Sequence, residues 1–182
     1  SGLGPLQAFR SLFEDTGRAH SIVWLLRMPR VVMAMLVGFG LGIAGTIFQA
    51  ILKNPLASPF TLGIGSGAGF GAVVVIISFK GSLYPYLTAA GAFGFSLLSA
   101  FLILGVAKMK RASSETMILT GIAQMFLFSA LSAFFQYMGT MEQVYEITFW
   151  HFGSLAKAGW REIGFAALMV LPPIPVLVRR AW

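Results

Sequence analysis

Apolar residues fall into five long blocks, residues 31–52, 62–79, 87–107, 116–138 and 163–178, each nearly free of charge. A helix needs about 20 residues to cross the hydrocarbon of a bilayer. Within the blocks, apolar and polar positions do not alternate as the strands of a membrane barrel would require. A helix bonds its own backbone and needs no partner strand in lipid. The pattern therefore predicts an all-α, polytopic membrane protein: one transmembrane domain over residues 1–182, with about five spans. The second and fifth blocks are short, and the second is saturated with glycine. The longest connector, residues 139–161, carries Trp150, His151, Phe152 and Trp160. That composition suits a short interfacial helix with its aromatic side toward lipid, and an ordinary loop with belt aromatics would show the same spacing.

The boundary between the first two blocks carries the densest local signals. Pro55 and Pro59 each lack a backbone donor and obstruct a helix, and they push Asn54 and Ser58 toward extended backbone. The stretch must be a connector whose polar backbone is buried in protein or faces water. Glycine then recurs at every second position from Gly63 to Gly71. Gly63, Gly67 and Gly71 lie four apart on one helix face, the spacing that lets another helix backbone approach closely. Ala34, Gly38 and Gly42 repeat the device on the first span. Gly67-Ala68-Gly69-Phe70-Gly71-Ala72 fits a loose dinucleotide fingerprint, but that motif needs a preceding strand and an acid about 20 residues on. No acid occurs between Asp15 and Glu115, and no P-loop is present.

Composition sharpens this picture. Hydrophobic residues make up 57% and charged residues 10% of the 182, against roughly 25% charged in soluble domains. The formal charge of +7 comes from Lys and Arg at block ends, where they meet headgroups. No basic run is interleaved with aromatics, so nucleic acid is not an expected partner. There is no cysteine, hence no disulfide framework or thiolate metal site. No carboxylate lies within a span, and intramembrane carboxylates are the usual mark of proton relays and of many ion-coupled transporters. Loop charge does not fix orientation: five spans would place seven cations on one side and six on the other. Residues 1–20 lack the apolar core of a secretory signal and read as a polar approach to the first span. The chain begins at Ser1, as a processed chain or a piece of a longer one would.

Arg27-Met28-Pro29-Arg30, Ala34, Leu36-Val37-Gly38, Gly45, Gln49, Asn54-Pro55-Leu56-Ala57, Pro59, Leu62-Gly63 and Gly67-Ala68 together resemble a family signature. It is that of bacterial ABC-importer permeases for iron-siderophores, haem and cobalamin. Phe149-Trp150-His151-Phe152-Gly153-Ser154-Leu155, followed by Trp160, resembles the same family's W-x-x-G-S-L segment. Members have about ten transmembrane helices per subunit and act as dimers. The resemblance implies that this chain matches the second through sixth, without the helices and cytoplasmic coupling segments that follow. It also implies residence in the bacterial cytoplasmic (inner) membrane. Residues 1–30 and 139–161 would lie outside, and the connectors at 53–61 and 108–115 and the Arg179-Arg180 end would face the cytoplasm. The implied partners are an extracytoplasmic substrate-binding protein, ATP-binding cassette subunits and a second permease subunit.

The same resemblance assigns roles by residue. Arg27 and Arg30 match arginines that meet acidic residues of the binding protein, a task suited to a bidentate, permanently charged fork; interfacial anchors would show the same pattern. Gln124, Ser129, Ser132 and Gln136 are polar candidates on the helix that lines the pathway, although such serines also bond their own backbone. Gln49, Asn54, Pro55 and Pro59 would serve the inner gate or cap helix ends. Gly38, Gly42, Gly63, Gly67 and Gly71 would pack helices. His151 is a lone histidine and is not expected to bind metal. The implied function is alternating-access import of a metal chelate, with no enzymatic chemistry and no resident cofactor, ATP being bound by separate subunits. A secondary transporter with a broken helix at 54–59 and a non-transporting docking module are the alternatives.

Overall fold

The computed structural model describes residues 17–79, 85–110 and 113–180. Among them the regular structure is helical: α1 (Arg18–Ile22), a π-helical turn (Val23–Arg27), α2 (Met28–Leu52), α3 (Ile64–Phe79), α4 (Pro85–Lys110), α5 (Ser114–Met138), α6 (Met141–Phe152), α7 (Trp160–Val170) and α8 (Pro173–Arg180). Four helical stretches are long and apolar enough to cross a membrane, namely Ala19–Leu52, Pro85–Met109, Ser114–Met138 and Trp160–Leu177, with Ile64–Phe79 a shorter apolar helix. The all-α membrane fold expected from the blocks is the fold observed. The connector at 80–82, part of that at 108–111 and most of the approach over 1–20 lie outside the described residues.

Two spans differ from their expected bounds. The first is not 31–52 but a 34-residue helix from Ala19. The apolar run through Leu26 continues the helix upstream, and Pro29, which cannot donate to Leu25, is accommodated by the wide turn before it, where Met28 donates to the Val23 carbonyl. The last is two helices, because Pro172 and Pro173 remove successive donors and Leu171–Pro172 form a turn. The interfacial segment is a helix. Thr140 Oγ1 accepts from Gln143 N (3.3 Å) and Gln143 Oε1 accepts from Thr140 N (2.9 Å), a reciprocal cap.

The chain divides into two compact units, Ile43–Gly153 and Ser1–Gly42 with Ser154–Trp182. In the first, α3 is the central element, with Gly67, Gly69, Phe70, Gly71, Ala72, Val73, Val75 and Ile76 buried. Glycine allows that burial. A Cβ on Gly67 would lie 3.0 Å from both the Phe95 carbonyl and Ser99 Cβ on α4, and one on Gly71 would strike the Gly91 backbone. On the far side, a Cβ on Gly121 of α5 would come within 2.5 Å of Leu62 Cα. Phe70 is held edge-on by Phe95 (5.2 Å) and Phe135 (5.7 Å) and stacked by Phe128 (5.6 Å). Val73 and Ile76 pack with Ile147 of α6. Gln143 Nε2 also donates to the Ile77 carbonyl at 3.0 Å, satisfying an acceptor near the end of α3.

The connector between α2 and α3 closes on itself. Lys53 adopts φ 47°; its N–H donates to Ala50 O (3.3 Å) and that of Asn54 to Gln49 O (3.2 Å), a Schellman ending with lysine where glycine is usual. Asn54 Oδ1 accepts from Leu56 N at 2.9 Å, and Gln49 Nε2 donates to Pro55 O at 3.1 Å. Ser58 and Thr61 exchange backbone and side-chain bonds. Thus the polar backbone beside two prolines is bonded largely within residues 49–61, as lipid-adjacent backbone must be. Leu52, Ala57 and Leu62 anchor the connector in a cluster with Ile103.

In the second unit, Trp160 Nε1 donates to the Trp24 carbonyl at 3.0 Å, with the two rings 6.1 Å apart. Gly40 makes the close approach here: a Cβ on it would lie 3.1 Å from Val170 Cγ1. Gly38 and Gly42, the expected packing residues, have no atom within 4 Å of an added Cβ among the described residues.

Gly71→Ala should therefore lower stability by about 1–3 kcal/mol through overpacking, whereas Gly38→Ala should leave it equal or raise it by up to about 1 kcal/mol. Thermal unfolding of the two variants in one detergent checks this, and equal melting temperatures would disprove the close approach at Gly71. Lys53→Gly should stabilise by about 1 kcal/mol by relieving the left-handed backbone, read in the same assay.

Candidate functional site

A cavity of about 530 Å³ opens in the unit built around α3. Its lining comes from Phe60 of the connector, Gly65, Ser66 and Gly69 of α3, Met125, Ser129, Ser132 and Gln136 of α5, and Trp150 and His151 of α6. Residues 125, 129, 132 and 136 recur every three or four positions, so one face of α5 supplies the whole stripe. On α3 the lining residues are all small. No charged side chain is among the lining residues. The site can therefore offer hydroxyls, an amide, an imidazole and apolar surface, but no formal charge or general acid–base pair. Among the described residues no cluster of three potential metal ligands occurs.

The cavity brings together Ser129, Ser132 and Gln136, three of the four polar candidates on this helix. Gln124 lies elsewhere, 7% exposed at the junction of α3, α4 and α5. Its Oε1 is 2.7 Å from Ser99 Oγ, which also lies 3.2 Å from the Gly63 carbonyl, while Gln124 Nε2 has no partner. One hydroxyl proton cannot fully serve both acceptors. Turning the amide over lets Nε2 donate to Ser99 and Ser99 donate to Gly63, which is the better bookkeeping. Gly63 sits there at φ 71°, with Gly121 O 2.6 Å from where its Cβ would be. This buried polar knot fixes the entry of α3. Ser99 carries no sequence signal beyond being a hydroxyl in an apolar run.

His151 is the residue that periodicity did not flag. It lies one turn after Ile147 on the face of α6 that meets α3, and this aims it at Gly69. A Cβ on Gly69 would lie 2.9 Å from His151 Nε2.

In the other unit, Arg30 is exposed and its Nη2 donates to the Ala156 carbonyl at 3.2 Å. Ala156 N in turn donates to Ser154 Oγ at 3.0 Å. Arg27 closes the π-helical turn, and Pro29 between the arginines is buried. The two motif stretches, 126 residues apart in sequence at Arg30 and Ala156, are thereby neighbours. Gln49, Asn54 and Pro55 are engaged in closing the connector, as described above, and Pro59 O accepts from Ile64 N at 3.3 Å at the start of α3.

A protein-family model, the FecCD transport family, matches residues 1–182. The chain belongs to the FecCD transport family. The curated relatives it matches are named as permeases. A provisionally named ABC transporter permease of Methanocaldococcus jannaschii is 37% identical over 171 residues, covering 88% of this chain and 49% of that protein. The vitamin B12 import system permease BtuC of Yersinia enterocolitica is 31% identical, over 91% of this chain and 48% of its own length. The molybdate import system permease MolB of Haemophilus influenzae is 35% identical, over 90% and 48%. An inward-facing transporter provisionally described as of the metal-chelate ABC type superposes with TM-score 0.82 at 28% identity, covering 97% of this chain and 59% of that one. The chain spans about half the length of the curated relatives it matches. These relatives are transporter permeases and not enzymes.

Ser99→Ala should cost about 1–3 kcal/mol, because it strands the buried Gln124 amide. The double variant Ser99→Ala/Gln124→Leu should cost less than the sum of the single changes. Additive losses in a double-mutant cycle would show that the two side chains do not interact.

Proposed function

We propose that this chain forms part of the transmembrane pathway of an ABC importer that moves a metal chelate across the bacterial cytoplasmic membrane by alternating access. The observation that supports it best is an uncharged cavity of about 530 Å³ against the glycine-rich face of α3. Helices packed on such a face, with few strong polar contacts, can slide or rock as packed bodies between two arrangements. A pathway of this kind needs an external source of work, since the carboxylates of the spans, Glu115 and Glu162, sit in the first turns of their helices and none lies deeper to offer ion coupling. ATP hydrolysis on separate cassette subunits would supply it, with a second permease subunit closing the open side of the cavity. The cargo class is a metal chelate of the siderophore, haem or cobalamin type. The vitamin B12 and metal-chelate relatives favour that class, and the molybdate relative bounds it.

The loaded binding protein would dock on Arg27 and Arg30. A guanidinium offers five donors, and the Ala156 carbonyl takes one from Arg30 while orienting the fork. The acidic partner residues would be engaged bidentately.

Reconstitution of the full-length permease with its cassette subunits and binding protein in proteoliposomes tests the reading. Chelate uptake should require ATP and persist when ion gradients are collapsed; uptake driven by a gradient alone would favour a secondary transporter. Arg30→Glu should weaken binding-protein association at least about tenfold, the loss expected for a charge-assisted bond, as read by surface plasmon resonance. Unchanged association would remove Arg30 from the docking face.

A further inference from the structure

His151 is the only titratable side chain among the described residues that line the cavity. Its ring is not free to choose a tautomer. Nδ1 lies 2.9 Å from the Ile147 carbonyl, one turn back on α6. A carbonyl only accepts, so Nδ1 carries the proton and the neutral ring keeps its lone pair on Nε2. Backbone anchoring of one ring nitrogen, which leaves the other directed and basic, is the device that orients functional histidines. The Trp150 ring, edge-on at 5.9 Å, further confines the imidazole.

Nε2 is then uncovered by sequence choice on the facing helix. Any Cβ at position 69 would lie 2.9 Å from it. Glycine there leaves the lone pair open on the cavity side, beside Ser129, Ser132 and Gln136. The wall holds no cation, so a bare oxyanion would meet an electron pair and no compensating charge. A chelate with amide or hydroxyl groups at its rim would bring the missing donor.

Resting on the reading of this cavity as a cargo pathway, we propose that His151 Nε2 is a hydrogen-bond acceptor for cargo, recognising N–H or O–H donors on the rim of a metal chelate. Gly69 is the positioning residue that keeps the acceptor exposed. The preferred cargo is then a donor-rimmed chelate rather than a small oxyanion.

The test uses ¹⁵N-histidine NMR of the chain in nanodiscs, with His20→Gln leaving His151 as the sole histidine of the two. The free protein should show a protonated Nδ1 and an unprotonated Nε2. Cyanocobalamin, an amide-rimmed chelate with no exchangeable metal position at the upper face, should move the Nε2 resonance upfield, and sodium molybdate should not. Gly69→Ala should abolish the movement while the chain stays folded by circular dichroism. An unmoved Nε2 at saturating cyanocobalamin, the opposite tautomer, or a response to molybdate alone would each overturn the proposal. In proteoliposomes of the full-length permease, His151→Phe should raise the KM for chelate uptake about fivefold, the worth of one neutral hydrogen bond, with kcat less affected and His151→Asn partly restoring it. Failure of the wild type to transport any chelate would count against the importer reading and leave the NMR result to decide this one.

Discussion

The approach of backbones around α3 is the constraint on which the rest of the larger unit depends. In lipid, apolar side chains gain little by leaving one oily environment for another, so helices associate through close van der Waals contact. Here that contact is made at Gly67 and Gly71 against α4 and at Gly121 against the turn before α3. With those distances fixed, Phe70 reaches three phenyl rings and Val73 and Ile76 meet α6. A second row of small residues, Gly65, Ser66 and Gly69, lines the cavity, where Phe60 and His151 approach it.

Polar groups are then distributed according to whether lipid or water can reach them. The connector uses the side chains of Gln49, Asn54, Ser58 and Thr61 to satisfy its own backbone. Ser99 and Gln124 do the same for the Gly63 carbonyl in the interior. The cavity wall presents the hydroxyls of Ser129 and Ser132 and the Nε2 edge of His151.

Much of this was legible in the chain. The first four apolar blocks, the proline connector and the close-packing Gly67 and Gly71 of the second block correspond to observed elements, because each rests on a local rule of backbone chemistry. Gly63, expected on the same helix face, instead sits before α3 at φ 71°, and the fifth block is broken into two helices at Pro172 and Pro173. What was not legible depends on partners distant in sequence. Nothing local distinguishes Gly40, which meets Val170, from Gly38 and Gly42, which meet no described residue. The extension of the first helix back to Arg18 was hidden by the Arg27–Arg30 interruption, which a π-helical turn absorbs. Ser129, Ser132 and Gln136 could be grouped by helical period, but His151 needed the facing Gly69, and Ser99 needed Gln124, before either acquired a role.

The relatives bear on where cargo preference can reside. Permeases named for vitamin B12 and for molybdate import both match nine-tenths of this chain at comparable identity. Side chains whose bonds are used up in closing the connector or seating α3 build the common scaffold and have nothing left with which to discriminate. Under the proposed role, any discrimination made within this chain would fall to groups that face the cavity and still hold an open lone pair or proton. His151 meets both conditions: one nitrogen is bound to the scaffold, and the other is held open by a glycine on the neighbouring helix. A chelate and an oxyanion differ in whether they can offer that nitrogen a proton, and a wall that is otherwise neutral makes the difference count.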